Sequence, residues 1–193
     1  MSDNSENEAP RAMVVLADGF EDIEAVSVID VLRRGGVDVV TAALDGGPEV
    51  RSSHGITMLA DESFDDVADD DYDAIILPGG GEGTANLKAS GALIERLRRQ
   101  KEEGRLLCAI CAAPTVLEAA GVLEEGQHVT CYPTCALELD RPCAGVPAVA
   151  DGGVVTGQAP GASLLFALVV LQTLMGDKVA DRVARRMVTD VLG

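Results

Sequence analysis

Short apolar runs alternate along the chain with longer stretches in which apolar residues recur at helical spacing. The runs are largely apolar from end to end, as strands buried on both faces of a sheet are, and they cover residues 13–17, 37–43, 74–77 and 105–110. Helical spacing predicts helices that end near residue 34 or span 93–103, 162–175 and 178–188. This alternation predicts an α/β fold with a mostly parallel central sheet covered by helices on both faces.

Two pairs of shorter apolar runs predict β-hairpins. The first pair lies around Val50 and at residues 56–59 and flanks Ser-Ser-His-Gly. The second pair, 146–150 and 154–156, flanks Asp-Gly-Gly, a sequence typical of tight turns. Residues 129–132 predict one further short strand.

A single domain accounts for residues 12–193, which contain no internal repeat, low-complexity segment or linker. A chain of 193 residues is also of ordinary single-domain size. Residues 1–11 are polar and acidic, and they lack the basic start and apolar stretch of a signal peptide. We therefore expect a disordered acidic tail followed by one domain.

The charge balance narrows the classes of partner. Thirty-two acidic residues against 15 basic ones give a net charge of −17, which would repel the phosphates of a nucleic acid. Only 3 of the bases are lysine, and a salty cytoplasm would tolerate such an acidic surface because ions screen its self-repulsion. A halophilic source is thus one hypothesis and an ordinary acidic protein the other. Thermal unfolding that gains nothing towards molar salt would contradict the first.

The longest apolar stretch, 162–175, is tested as a possible membrane-spanning segment. It is interrupted by Ser163, Gln172 and Thr173 and falls short of the roughly 18 apolar residues that suggest a membrane span. With no span and no export signal, we expect a cytoplasmic protein without membrane contact. There the cysteines would stay reduced, acting as thiols, ligands or core residues; they are Cys108, Cys111, Cys131, Cys135 and Cys143.

Cys111 is the candidate nucleophile. In open α/β sheets ligands bind beyond the carboxyl ends of the strands, where three loops are predicted at 18–24, 78–84 and 111–114. Small residues, Ala109 and Ala113, stand two places before and after Cys111, as the sharp turn of a nucleophile elbow requires. The following helix would direct its positive end at the sulfur and favour the thiolate. The alternative is a buried core cysteine.

Other roles for the cysteines stay open. Cys108 and Cys111 form a Cys-x-x-Cys pair, but a redox dithiol places both near a helix start, whereas Cys108 falls within a predicted strand. A zinc site from these two with Cys131 and Cys135 has the right number of ligands but irregular spacing. We therefore expect no metal, and Cys143 is taken as incidental.

Glu24 is the candidate acid–base. It heads an apolar helical stripe formed by Val28, Val31 and Leu32, so its carboxylate would be partly desolvated and its proton affinity raised. Spacing alone does not separate Glu24 from Glu21. Either carboxylate would suit general acid–base catalysis once it is partly buried.

The glycine-rich loop 78–83 leaves amides free to bind an anion or oxyanion. It lacks the Gly-Lys-Ser/Thr ending of a phosphate-binding loop, and the first strand lacks Gly-x-Gly-x-x-Gly, so we expect no nucleotide cofactor. His54 and His128 are the only histidines, which makes a Cys-His-Asp triad hard to assemble, although His54 remains a candidate. Tyr132 could supply a hydroxyl.

Together these segments resemble the DJ-1/ThiJ/PfpI superfamily, specifically its DJ-1/ThiJ branch. The resemblance runs from about Arg11 to the C-terminus and rests on residues 16–24, 77–80, 109–114, 129–133 and 159–161. It implies a flavodoxin-like, three-layer α/β/α sandwich of the class I glutamine amidotransferase type, assembled as a homodimer. By the same resemblance no cofactor is needed.

The resemblance also assigns the site. Cys111 matches the reactive cysteine of the family and Glu24 the acid hydrogen-bonded to it. The amides of Gly80, beside Gly79, and of Ala112 match the oxyanion site. The protease-like branch has histidine where Ala112 stands, which disfavours proteolysis.

Two further positions follow from the resemblance. His54 lies in the loop that approaches the active site from the partner subunit. Tyr132 stands where many members have histidine, a departure that leaves Glu24 as the proton carrier. Cys131, beside the active-site strand, could resolve an oxidised Cys111.

The implied activity is that of a cofactor-independent glyoxalase, which converts methylglyoxal or glyoxal to lactate or glycolate, with a related protein deglycase activity. The alternative is a non-catalytic oxidative-stress sensor or redox-regulated chaperone, in which Cys111 is oxidised reversibly and Glu24 stabilises the product.

Overall fold

The computed structural model describes residues 9–189. Its strands are β1 (Arg11–Leu16), β2 (Asp38–Ala43), β3 (Glu49–Arg51), β4 (Thr57–Leu59), β5 (Glu62–Ser63), β6 (Ala74–Leu77), β7 (Leu106–Ile110), β8 (Ala148–Asp151) and β9 (Val154–Gly157). Its α-helices are α1 (Asp22–Gly35), α2 (Phe64–Val67), α3 (Gly81–Ala89), α4 (Gly91–Glu102), α5 (Pro114–Ala120), α6 (Ser163–Met175) and α7 (Asp177–Arg186). Short 3₁₀ helices cover Pro133–Glu138 and Pro160–Ala162.

One central sheet organises the described residues, with the strand order β5-β2-β1-β6-β7-β9-β8. All neighbouring strands pair in parallel except β8 and β9, which form the predicted second hairpin at one edge. The first predicted hairpin, β3–β4, is a separate antiparallel pair. Parallel strands align their carboxyl ends at one edge, so β1, β6 and β7, which are neighbours, deliver their following loops to the same place.

Side chains of the strands alternate between two apolar cores. In β1, Val14 and Leu16 belong to the core beneath α1, α6 and α7, while Met13 and Val15 belong to the core beneath α2 to α5. Both faces of the strands are therefore buried, which explains their nearly continuous apolar sequence. The predicted α/β class is confirmed, and the arrangement is a flavodoxin-like three-layer sandwich.

The predicted strand at 129–132 is wrong. A single bridge between Val129 and Cys143 is all that forms there, and the amide of Thr130 donates to the hydroxyl of Thr156 at 2.9 Å. The reason lies in β9, whose two edges are already occupied by β7 and β8. With no edge of β9 left free, the segment cannot extend the sheet there.

The domain start also differs slightly from the sequence-based boundary. Arg11, assigned to the tail, opens β1, and its amide donates to Asp73 Oδ2 at 2.8 Å. The carbonyl of Pro10 accepts from the amide of Asp38 at 2.8 Å. The rest of the expected acidic tail, residues 1–8, lies outside the described residues.

The apolar stretch at residues 162–175 forms helix α6. It packs against both α1 and α7 and buries Phe166, Leu168 and Leu171 completely. At 13 residues it is short. Within residues 9–189, no helix combines the length and the apolar character that crossing a bilayer demands.

Candidate active site

The turn at Cys111 has an unusual backbone. Its φ is 65°, and Val188 is the one other non-glycine residue between positions 9 and 189 with a positive φ. The Cys111 amide donates to the carbonyl of Gly157 at 2.9 Å, and its carbonyl accepts from the amide of Tyr132 at 2.7 Å. These two bonds hold the left-handed conformation, which costs an ordinary residue about 1 kcal/mol or more. The strand-to-helix geometry therefore matches the predicted nucleophile elbow.

Glu24 approaches this turn from the start of α1. Its side chain is fully buried, and Oε2 accepts from the amide of Gly79 at 2.8 Å. The other oxygen, Oε1, is buried without a conventional hydrogen-bond partner. Glu21 has a different role: its carboxylate accepts from the amide of Glu24 at 2.8 Å and caps the helix. The structure thus separates the two carboxylates that spacing alone could not.

Gly79 lets the thiol and the carboxyl group meet. A Cβ atom there would lie 2.7 Å from Cβ of Cys111 and 2.8 Å from Oε2 of Glu24. Gly80, next along, has a φ of 96°, and a Cβ there would collide with the backbone of Gly19. Only glycine fits these two positions. The loop after β6 thereby brings its amides against the sulfur.

Both ionisable groups resist charging. Burial raises the pKa of Glu24 to about 7, even though the amide of Gly79 favours its charged form. Burial first, and then the charge and hydrogen bond of Glu24, raise the pKa of Cys111 to about 12. The nearby amides of Ala112 and Gly80 lower the pKa and oppose this rise only in part.

The sequence-based expectation that the following helix favours the thiolate meets an opposing effect, because burial and the neighbouring carboxyl group of Glu24 raise the pKa of Cys111. Helix α5 begins at Pro114 and spans 7 residues. The resting pair is a thiol and a carboxyl group that bind protons strongly. The thiolate forms more readily when Glu24 is neutral, because a charged carboxylate beside the sulfur raises the pKa of the thiol. A charged Glu24 can instead accept the thiol proton.

Tyr132 and His54 differ in their position relative to Cys111. Tyr132 reaches Cys111 through its backbone amide, while its side chain is 42% exposed. His54, in the loop between β3 and β4, bonds through Nδ1 to Asp22 Oδ2 at 2.6 Å. This hydrogen bond, and then the charge of Asp22, raise the pKa of His54. Within one chain, His54 is therefore tied to the outer side of the start of α1.

A cavity of about 330 Å³ lies on that outer side, between the turn at Asp18–Gly19 and the loop 51–55. Neither Cys111 nor Glu24 lines it. Cys111 is itself only 8% exposed. Such low exposure favours a small substrate over a bulky one.

The described residues do not support the zinc alternative. Cys108 is completely buried in β7, and burial raises its pKa. Across residues 9–189, a single group places three potential metal ligands within 4.8 Å of one another, and it contains no cysteine: Glu21, Asp22 and His54. In that group Asp22 is already bonded to His54, and Glu21 caps α1.

Two relationships escaped the sequence analysis. The carbonyl of Gly157 anchors Cys111, and a contact made through the backbone leaves no trace in side-chain identity. Cys143, taken as incidental, has its Sγ 3.1 Å from Sγ of Cys131. Cys131 thus contacts Cys143, and Cys111 is also near enough to contribute to the raised pKa of Cys131.

Comparisons with known proteins identify the family to which the chain is similar. The sequence profile of the DJ-1/PfpI family matches residues 10–173. Protein dj-1beta of Drosophila melanogaster is 38% identical over 177 residues, which cover 90% of this chain and 94% of that protein. The glutathione-independent glyoxalase DJR-1.2 of Caenorhabditis elegans is 36% identical over 162 residues, 81% of this chain and 83% of that protein.

The fold agrees equally well with a solved structure. Oxidized DJ-1 from Toxoplasma gondii superposes with a TM-score of 0.90 at 33% sequence identity. The match covers 94% of this chain and all of that one. With its elbow cysteine, its buried glutamate and these relatives, the chain belongs to the DJ-1/PfpI family.

Proposed function

We propose that this protein is a cofactor-independent glyoxalase that converts methylglyoxal to lactate and glyoxal to glycolate. The observation that carries the proposal is that Cys111 and the buried carboxyl group of Glu24 face each other across Gly79, where a single added Cβ would lie within 2.8 Å of both. The amides of Gly80 and Ala112 lie near the sulfur and lower its pKa. A nucleophile, a proton carrier and two oxyanion donors thus meet at one point. The relative named glutathione-independent glyoxalase supports the assignment.

The first step joins the sulfur to the aldehyde carbon. As the sulfur attacks, the Glu24 carboxylate accepts the thiol proton, since the raised pKa of Cys111 disfavours a free thiolate. The carbonyl double bond opens, and the negative charge on its oxygen is met by the amides of Gly80 and Ala112. Glu24 then returns the proton to that oxygen, giving a hemithioacetal.

The second step is an internal redox reaction. The Glu24 carboxylate removes the proton from the former aldehyde carbon, and the electron pair forms the double bond of an enediol. Reprotonation at the neighbouring carbon turns the ketone into an alcohol and leaves a thioester on Cys111. Water cleaves the thioester, releasing the hydroxy acid and restoring the thiol. The sum is methylglyoxal plus water giving lactate, with no external oxidant or reductant.

The experiment is a lactate assay on the purified protein with methylglyoxal as substrate, without glutathione and with a chelator present. We expect steady production of lactate in proportion to protein concentration. Glycated peptides supplied in place of methylglyoxal test the related deglycase activity. Consumption of methylglyoxal without lactate, from simple adduct formation, would contradict the glyoxalase proposal.

A second candidate, reversible oxidation of Cys111 as a sensor or chaperone signal, has a specific observation in its favour. Glu24 Oε1 is buried without a conventional partner, and a protonated Glu24 could donate a hydrogen bond from it to an oxidised sulfur. The solved structure from Toxoplasma gondii is that of an oxidized DJ-1. Turnover decides between the two: a sensor reacts once per chain, whereas an enzyme forms many lactates.

The proposed assembly is a homodimer formed through α1 and the β3–β4 hairpin. Ile23 and Val26 on α1 and Leu59 on β4 are each more than half exposed. Val26 and Leu59 line one cavity of about 340 Å³. A second copy of the chain would cover these apolar side chains. It would also bring a second His54 to this face.

Substitution of Leu59 by arginine is expected to weaken dimerisation by roughly ten-fold or more, because a charge would enter an apolar contact. Light scattering during size-exclusion chromatography measures the mass. Leu137→Arg is the matched control, since Leu137 is 95% exposed on the 3₁₀ helix, away from this face. A wild-type protein that is monomeric at micromolar concentration would rule out the dimer.

A further inference from the structure

Cys131 and Cys143 form a close pair of thiols outside the Cys111 site. Their Sγ atoms lie 3.1 Å apart, in hydrogen-bond contact. A disulfide requires about 2.05 Å, so an approach of about 1 Å would join them. Both side chains belong to a small apolar cluster with Val129 and Leu139.

The backbone fixes this approach. Val129 and Cys143 form a bridge, and the amide of Ala144 donates to the carbonyl of Val129 at 2.8 Å. Two residues before Cys143, Arg141 forms a two-pronged ion pair with Glu118, with nitrogen–oxygen distances of 2.8 and 3.1 Å. The ion pair is largely buried. Cys143 is therefore held against Cys131 by bonds on both sides.

The pair is better suited to oxidation than to metal binding. Along the described part of the chain, no three cysteine sulfurs come within 4.8 Å of one another, so Cys135 does not complete a thiolate ligand set. Access is unequal, because Cys131 is buried whereas Cys143 is partly exposed. An oxidant from solvent therefore meets Cys143 first, with Cys131 directly behind it.

We propose that Cys131 and Cys143 are a redox site of their own, which a hydroperoxide converts to a reversible intramolecular disulfide. The Cys143 sulfur attacks the peroxide oxygen, the O–O bond breaks, and an alcohol or water leaves, giving a sulfenic acid. The Cys131 sulfur then displaces water and forms the S–S bond. Two thiols lose two electrons and two protons, the hydroperoxide gains both, and a dithiol reductant reverses the step.

The site lies beside the candidate active site but does not depend on it. The disulfide would close a loop that runs from Cys131 to Cys143. Tyr132, the second residue of this loop, donates from its backbone amide to the carbonyl of Cys111. No step uses the Cys111 thiol. The inference therefore goes beyond the proposed glyoxalase activity and stands or falls separately.

The experiment treats the full chain with stoichiometric hydrogen peroxide, blocks the remaining thiols by alkylation, and digests the protein after glutamate. Cleavage after Glu138 separates the peptide with Cys131 and Cys135 from the peptide with Cys143. We expect these peptides to be joined, with a loss of about 2 Da that dithiothreitol reverses. The same product is expected in Cys111→Ser, where neither glyoxalase turnover nor oxidation of Cys111 can contribute.

Three variants make the result decisive. Cys143→Ser and Cys131→Ala should abolish the joined peptides, and Cys135→Ser should leave them unchanged. Circular dichroism establishes that each variant is folded. Joined peptides that vanish in Cys135→Ser or in Cys111→Ser would overturn the proposal. Full alkylation of both Cys131 and Cys143 after the peroxide treatment would also overturn it.

Discussion

Replacing Cys111 by serine is expected to abolish lactate formation from methylglyoxal, a loss of roughly 10³-fold or more. A serine hydroxyl is a weaker nucleophile than a thiol and holds its proton more tightly, so Glu24, with a pKa of about 7, cannot activate it. The substitution changes one buried atom, and the backbone bonds to Gly157 and Tyr132 do not involve the side chain. The loss should therefore be chemical, with the fold intact.

Lactate release measured over a range of methylglyoxal concentrations checks this expectation. Cys135→Ser is the matched control, because Cys135 lies on the surface 3₁₀ helix and should retain wild-type turnover. A thermal unfolding midpoint close to that of the wild type establishes that Cys111→Ser is folded. Lactate formation by this variant at more than a tenth of the wild-type rate would exclude Cys111 as the nucleophile.

Glu24→Gln is expected to lower turnover by roughly 10²- to 10⁴-fold, because the amide cannot carry protons between the carbons of the hemithioacetal. Glutamine keeps the shape of the side chain and an oxygen to accept from the Gly79 amide. The rate of the wild type should rise with pH through about 7, as Glu24 becomes the carboxylate that serves as base. The residual rate of the variant should lack this rise.

The same substitution should change the pH dependence of stability. The pKa of Glu24 is raised by folding from 4.5 to about 7, so the folded state binds the proton more tightly than the unfolded chain. Its stabilising contribution is complete below about pH 4.5 and is lost as the pH rises through about 7. At pH 8 the buried charge costs about 3 kcal/mol, a cost that Glu24→Gln should largely remove.

Urea unfolding at pH 5 and pH 8 measures this contribution. We expect Glu24→Gln to be more stable than the wild type at pH 8 and nearly equal to it at pH 5. Glu125→Gln, a substitution of an exposed carboxylate, is the control and should leave the pH dependence unchanged. An equal change in the free energy of unfolding at both pH values would refute a proton-linked origin.

Much of the fold follows from the sequence because burial on two faces imposes a recognisable pattern. The apolar run at 74–77 predicts β6 at its observed bounds, since all four of its residues are apolar. Two short elements, β5 and α2, escape prediction, because their two and four residues form no apolar run and are too few to show a helical period. The prediction of a strand at 129–132 fails for another reason. The apolar side chains of Val129 and Cys131 pack with Leu139 in a small cluster outside the sheet.

The candidate site is predictable where local sequence determines geometry. Alanines around Cys111 mark the turn, and the apolar stripe below Glu24 marks a buried carboxylate. The pKa of Cys111 is not predictable from local sequence, because it depends first on burial and then on the proximity of Glu24, a residue on another element. The contact between Cys131 and Cys143 depends on how a loop folds back, and no periodicity encodes that.

Main-chain hydrogen bonds hold the turn at Cys111. The shape of this turn is therefore independent of which side chain stands at position 132. A larger residue at Gly157 would force the buried side chains of Ile110 and Phe166 to move, because its Cβ would lie within 3 Å of both. Tyr132, by contrast, contributes only its amide to the anchor, and that amide is present in any residue but proline. The side chain at position 132 can therefore change while the main-chain bonds that hold the turn at Cys111 stay in place.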